Sequence, residues 1–259
     1  MKLPIYVLML FNCWLYGQKS LSTRFIQSTP YSWDYFAGVD QFESLYYLKS
    51  NALLKQNGET LQSFSDLNKG EISSVSTFNP LKLVVFHKDF NSITLLDNRL
   101  AELVSVHFNA LSPLRTVSHI SYGNDSTIWL FDTNTLQLEL FDYNSADIRV
   151  RTVPLQSEIL ALDSDYIYCW VLLENELHCY NYMGSLISKL PNIGFTDLKL
   201  WNGILFLKKK NKLFYKPINN DVILALDLPK ILLKQFFVTN ETLYIYDEEF
   251  LHHYQLLNN

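Results

Sequence analysis

Short apolar runs interrupt an otherwise mixed chain at nearly constant spacing. They are Leu45-Tyr46-Tyr47-Leu48, Leu83-Val84-Val85-Phe86, Ile128-Trp129-Leu130-Phe131, Ile167-Tyr168-Cys169-Trp170, Leu205-Phe206-Leu207 and Leu243-Tyr244-Ile245-Tyr246. Counted from the first residue of each run, the steps are 38, 45, 39, 38 and 38. Each run has the length of a strand. A fixed period of about 40 residues, with several strands inside each period, marks a repeat architecture built from small sheets.

The turn formers keep the same rhythm. Asp40, Asn79, Asn124, Ser164, Asn202 and Asn240 stand before the second strand of each unit. Asn51, Asn91, Asn134, Asn175 and Asn211 stand between the second and third strands of the first five units. Asn tolerates the left-handed backbone that tight hairpins need. Each unit therefore reads as four strands, A to D. The expected fold is all-β, a six-bladed β-propeller of four-stranded antiparallel blades. Blades 1 to 5 are expected at about Trp33–Asn68, Gly70–Asn109, Arg115–Pro154, Gln156–Asn192 and Phe195–Leu228, with the sixth beginning near Lys234.

That last unit has only three strands: Gln235–Val238, Leu243–Tyr246 and Leu251–Leu256. An open ring would leave an exposed edge. The segment Leu21–Gln27 reads as a strand and belongs to no unit. It is expected to supply the outer strand of blade six and close the ring.

With these features the chain resembles the six-bladed propeller superfamily, the architecture of NHL-repeat, TolB-like and sugar-lactonase-like proteins. The resemblance spans about residues 21–259 and is architectural. There is no Gly-His…Trp-Asp pairing and no regular Gly-rich tryptophan docking motif, and only eight glycines occur in all. It implies a divergent exported bacterial propeller. Such rings serve as hydrolases, lyases or plain scaffolds, so the fold leaves the function open.

Composition narrows the partners. Aromatic residues make up 15% of the 259 residues, which suits pleated, half-buried surfaces. The net charge of -5 argues against nucleic acid, which needs a basic face. Residues 1–18 read as a signal peptide: Lys2, then an apolar stretch from Ile5 to Tyr16, then Gly17. Residues 19–259 are then a single propeller domain, periplasmic or secreted. Lipid attachment at Cys13 is disfavoured, because Phe11-Asn12 precede it rather than small residues. Asn124-Asp125-Ser126 and Asn240-Glu241-Thr242 match a glycosylation pattern and read as chance matches in turns. Cys169 and Cys179 fall on successive strands of one hairpin. A three-residue loop would set them opposite one another, and a two-residue loop one position out of register.

Chemistry is harder to find. No Gly-x-Ser-x-Gly nucleophile setting and no phosphate-cradling loop occurs. Asp132, Glu174, Asp247 and Glu248 lie in second-to-third-strand loops and could in principle feed a metal, but such acids usually rim a propeller. Neither a metal nor a cofactor is expected. His119, on the proposed innermost strand Val117–Ser121, could see the axial channel. The 45-residue step places extra residues in Asn109–Arg115 and in Tyr122–Ser126. The candidate binding residues are therefore His119, Asp132, Asn109, Leu111 and Arg115. The leading expectation is a non-enzymatic scaffold for a protein partner in the cell envelope. The alternatives are a metal-assisted hydrolase or lyase and a small-ligand or glycan binder.

Overall fold

The computed structural model describes residues 21–258 apart from Asn219. The signal segment and Cys13 lie outside the described residues. Strand β1 (Leu21–Pro30) leads the chain. Blade 1 follows as β2 (Tyr35–Val39), β3 (Leu45–Lys49), β4 (Ala52–Asn57) and β5 (Thr60–Phe64). Blade 2 is β6 (Ser74–Ser76), β7 (Leu83–His87), β8 (Ser92–Leu96) and β9 (Glu102–His107). Blade 3 is β10 (Val117–Tyr122), β11 (Thr127–Asp132), β12 (Gln137–Asp142) and β13 (Asp147–Arg151). Blade 4 is β14 (Ile159–Ser164), β15 (Tyr168–Leu173), β16 (Glu176–Asn181) and β17 (Leu186–Pro191). Blade 5 is β18 (Asp197–Trp201), β19 (Ile204–Lys209), β20 (Lys212–Pro217) and β21 (Leu224–Ala225). Blade 6 is β22 (Gln235–Thr239), β23 (Thr242–Tyr246) and β24 (Phe250–Asn258), with β1 outermost.

The ring closes as the spare strand requires. β1 pairs antiparallel with β24 from Leu21↔Asn258 to Pro30↔Phe250, with one bulge between Phe25 and Gln27. The chain then enters blade 1 through an aromatic seam. Trp33 stacks between Tyr31, with ring centroids 4.0 Å apart, and Tyr47, at 4.5 Å. The Tyr246 hydroxyl of blade 6 accepts from the Trp33 amide and donates to its carbonyl.

The apolar runs are the middle strands. A middle strand is covered on both faces by neighbouring blades, so its residues are apolar without alternation. β7, β8 and β11 are buried along their full length. The outer strand β13 alternates between exposed and half-buried positions instead. The core is accordingly six apolar layers, one between each pair of adjacent blades. Four of the expected turn asparagines take the left-handed backbone, while Asp40 and Asn79 instead cap their turns by accepting from the Phe42 and Leu81 amides. Asn51, Asn91, Asn202 and Asn240 hold φ of +60°, +49°, +47° and +48°. Ser164 differs: it is the last residue of β14, and its hydroxyl ties blade 4 to Ser121 Oγ, at 2.8 Å, and to the Tyr122 carbonyl of blade 3.

Glu174 and Asn175 form the loop between β15 and β16, so Cys179 pairs with Trp170 and Cys169 with Tyr180. Directly paired residues share a face and successive ones alternate. Cys169 therefore packs in the layer toward blade 3, and Cys179 in the layer toward blade 5. Both are buried free thiols. Burial raises both, Cys179 to about 12. Neither is expected to react with a thiol reagent until the protein is unfolded, when both should; rapid native modification, or a Cys169–Cys179 crosslink found by mass spectrometry, would contradict this arrangement.

Candidate functional site: the axial cavity

The innermost strands β2, β6, β10, β14, β18 and β22 surround the axis. On β18 and β22 strict alternation sends Leu198, Leu200, Phe236 and Val238 into the blade layers. It turns Lys199, Trp201, Phe237 and Thr239 toward the axis, where they line a cavity of about 560 Å³. On β2, β10 and β14 the ladder is interrupted by bulges, between Phe36 and Gly38, Val117 and His119, and Ile159 and Ala161. A bulge adds one unpaired residue and re-aims the side chains around it. Ser118 and His119 are successive, yet both line the cavity.

Every blade contributes. Tyr35 comes from blade 1, Lys88 from blade 2, His119 from blade 3, Asp163 from blade 4, Asp197 and Lys199 from blade 5, and Phe237 from blade 6. Tyr35, Ser118 and Asp197 lie at the starts of the inner strands, and Gln41, Asn202 and Asn240 in the turns after them. The cavity therefore spans the ring.

Its electrostatics centre on blades 4 and 5. Asp163 accepts hydrogen bonds from the Leu200 amide at 2.7 Å and the Ser121 hydroxyl at 3.4 Å. Burial pushes its carboxyl above the usual carboxylate range, against the pull of Lys199. Burial works against the Lys199 charge, but Asp163, Asp197 and Tyr35 hold its pKa above the ordinary lysine value. This ammonium stays charged beside the two carboxylates. Thr77 Oγ1, also on the cavity wall, is buried with no hydrogen-bond partner among the described residues. Asp197 caps its own strand by accepting from the Leu198 amide at 2.8 Å. On the blade 3 side Ser118 Oγ lies 3.0 Å from His119 Nδ1. Burial and then the Lys88 charge lower His119 to about 4, against a backbone hydrogen bond at Leu160, so the imidazole is neutral at ordinary pH.

Apolar residues also stand in the turns after the inner strands of blades 1, 2 and 4. Phe78 contacts Tyr122 and Tyr166, with ring centroids 5.3 and 4.9 Å away. Phe42, Leu81, Tyr166 and Ile167, in these turns, are exposed.

Of the residues singled out from sequence, His119 lines the cavity. Asp132 is buried at the end of β11, where it caps a turn by accepting from the Thr116 and Asn134 amides and the Thr135 hydroxyl. Arg115 is buried and paired with Glu139 at 2.8 Å. Asn109 accepts from Asn91 Nδ2 at 2.7 Å, and Leu111 packs on the layer between blades 2 and 3. None of these four touches the cavity, nor do Glu174, Asp247 or Glu248. Most loops between second and third strands stand one strand out from the axis, so their acids do not reach the cavity. Among the described residues no three His, Cys, Asp or Glu side chains gather as metal ligands would. Sequence reasoning missed Asp163, Asp197 and Lys199. The available signal was charge inside the apolar inner strands Leu160-Ala161-Leu162-Asp163 and Asp197-Leu198-Lys199-Leu200.

The fold thus defines a six-bladed β-propeller with an open polar axis. No family model and no curated protein matches the sequence. Solved structures do match in fold. Virginiamycin B lyase from Staphylococcus aureus superposes with a TM-score of 0.61 at 12% identity, over 85% of this chain and 79% of that one. The Pan2 WD40 domain of Neurospora crassa gives 0.55 at 9% identity, over 92% of this chain and 96% of that one. PorZ of Porphyromonas gingivalis, described as an essential surface component of the type-IX secretion system, gives 0.55 at 14% identity; the match covers 85% of this chain and 32% of PorZ. At these identities the likeness is one of fold alone.

Proposed function

We propose that this chain is an exported propeller that binds a small polar ligand in its axial cavity. The observation that carries the reading is Lys199. A charged ammonium set among Asp163, Asp197 and Tyr35 on the wall of an open cavity offers a polar ligand both signs of charge in one place. The surrounding Asp163, Tyr35, Ser118 and the Thr77 hydroxyl offer further convergent polar contacts. The volume falls in the range of small-molecule sites, about 300–1,000 Å³. A hydroxyl-rich compound, or one bearing both charges, suits a wall that mixes carboxylates, an ammonium and hydroxyls.

A thermal-shift screen tests this. A bound compound at about 100 times its Kd adds about 2.7 kcal/mol, which for a chain of this size raises the melting temperature by about 5–10 °C. The shift should vanish in Lys199→Met while the unliganded variant still melts cooperatively. A ligand whose shift survives Lys199→Met, or a broad metabolite screen with no shift at all, would rule the reading out.

Protein contact is the second reading, supported by the exposed Phe42, Leu81, Tyr166 and Ile167 in the turns after the inner strands. A partner seated there would cap the axis, and its binding should be weakened by Phe42→Ser and Tyr166→Ser rather than by Lys199→Met. Export rests on the reading of residues 1–18 as a signal. Among the described residues no helix is long and apolar enough to cross a membrane. Cell fractionation, with the mature N-terminus sequenced near residue 18, tests both export and cleavage.

A further inference from the structure

Successive residues of a regular strand point to opposite faces. Ser118 and His119 escape that rule because the bulge after Val117 inserts Ser118 as an unpaired residue opposite β11. The two side chains meet, with Oγ and Nδ1 3.0 Å apart, on the wall of the axial cavity. In the neutral ring with its proton on Nε2, Nδ1 carries a lone pair and the serine hydroxyl donates to it. A hydroxyl bonded to a neutral imidazole is the core of an activated nucleophile.

We infer that Ser118 and His119 form a nucleophile–base pair that hydrolyses small carboxylic esters admitted to the cavity. Ser118 Oγ bonds to the ester carbonyl carbon as its proton passes to His119 Nδ1. The carbonyl electron pair moves to oxygen, and Lys88, whose charge already reaches His119, is the cation on that side of the cavity to meet the oxyanion. As the carbonyl re-forms, the ester C–O bond breaks and the departing alkoxide takes the proton from Nδ1. Water then attacks the acyl-serine by the same route, giving its proton to His119. The acid leaves, and the proton returns to Ser118. No oxidant or cofactor enters the balance.

The base has an unusual pH range. The groups facing it are Lys88 on its own side, Leu160 from β14, and Asp163, Asp197, Lys199 and Tyr35 across the cavity; Asp40 and Asp165 sit toward the far mouth. Burial and Lys88 lower His119 to about 4. A base must be unprotonated, so activity is present above that value and is lost as the pH falls through it. An unperturbed histidine would instead switch near 6.5.

The inference rests on the cavity being open to small molecules but not on the identity of any ligand. The test is a fluorophosphonate probe on the purified full chain, with p-nitrophenyl acetate as the turnover substrate. Intact mass and peptide mapping should show one adduct, on Ser118. Ser118→Ala should remove it. His119→Asn keeps a polar atom near the Nδ1 position but cannot take the proton, and should slow labelling by about 100-fold or more at an unchanged melting temperature. The wild-type rate should be flat between pH 5.5 and 8 and fall below about pH 4. A folded wild-type protein that stays unlabelled at Ser118 overturns the inference. So does labelling that is equally fast in His119→Asn, or a rate that falls with a midpoint near 6.5. Each of these results leaves ligand binding through Lys199 untouched, because the thermal-shift test reads it separately.

Discussion

A chain lacking Leu21–Pro30 should lose its cooperative unfolding transition. β1 is the outer strand of blade 6, in register with β24 along nearly all its length. Leu21 is buried in the layer between blades 5 and 6, and its amide donates to the Tyr215 hydroxyl at 2.9 Å. Removing the strand strips the ladder from one side of β24 and detaches the Tyr31–Trp33 seam from its anchor. Each lost hydrogen bond is worth about 1 kcal/mol net, so the sum approaches the whole stability of an ordinary domain, about 5–15 kcal/mol. The check is thermal or urea unfolding followed by tryptophan fluorescence, together with complementation. A synthetic peptide of residues 21–30 added in excess should restore a sharp transition. If the truncated chain melts as sharply as the intact one without the peptide, the ring does not depend on this closure.

The second large effect is expected at the buried ion pair of blade 3. Glu139, only 1% exposed, accepts from Arg115 Nε at 2.8 Å and Arg151 Nε at 2.6 Å. Arg115 is 4% exposed and also donates to the Pro113 carbonyl, so it pins the enlarged loop before blade 3. Breaking such a pair by removing one partner costs about 3–5 kcal/mol, because the other charge stays buried. Arg151 still meets Glu139, which places Arg115→Ala near the lower end, about 3 kcal/mol, or a melting temperature about 6–12 °C lower at this chain length. Arg151→Ala should cost under about 1 kcal/mol, since that side chain is half exposed and works in high dielectric. Replacing both buried partners, Arg115→Met with Glu139→Leu, should recover most of the loss. Urea melts of the four proteins decide it; equal losses from the two arginine variants would refute the assignment.

Much of this architecture could be read from the chain because its cause is local. Leu83–Phe86 and Ile128–Phe131 are apolar throughout because middle strands are covered on both sides, and Asn51, Asn91, Asn202 and Asn240 stand where a hairpin needs a left-handed residue. The short last unit and the unassigned Leu21–Gln27 together foretold a ring closed by its own N-terminal strand. The site was less legible. His119 could be assigned to an inner strand, but Asn109, Leu111, Arg115 and Asp132 drew attention through an irregular spacing and a turn acid. In the fold, Asn109, Arg115 and Asp132 make the bonds that hold the larger loop and its neighbouring turn, and Leu111 packs beneath it. Spacing reports that a loop is longer; it does not report what the loop bonds to.

The sequence by itself determined the repeat, the number of blades, the turn residues and the strand that closes the ring, because period-2 patterning and turn chemistry are set within a few residues. Only the tertiary structure decided what meets at the axis. Asp163 and Lys199 lie 36 residues apart in the chain, on different blades, and influence one another only because the ring curves. Ser118 and His119 are neighbours in the chain, yet their alternation would have parted them. They meet because the ladder between β10 and β11 slips by one residue, and that slip depends on the partner strand as much as on the residues themselves.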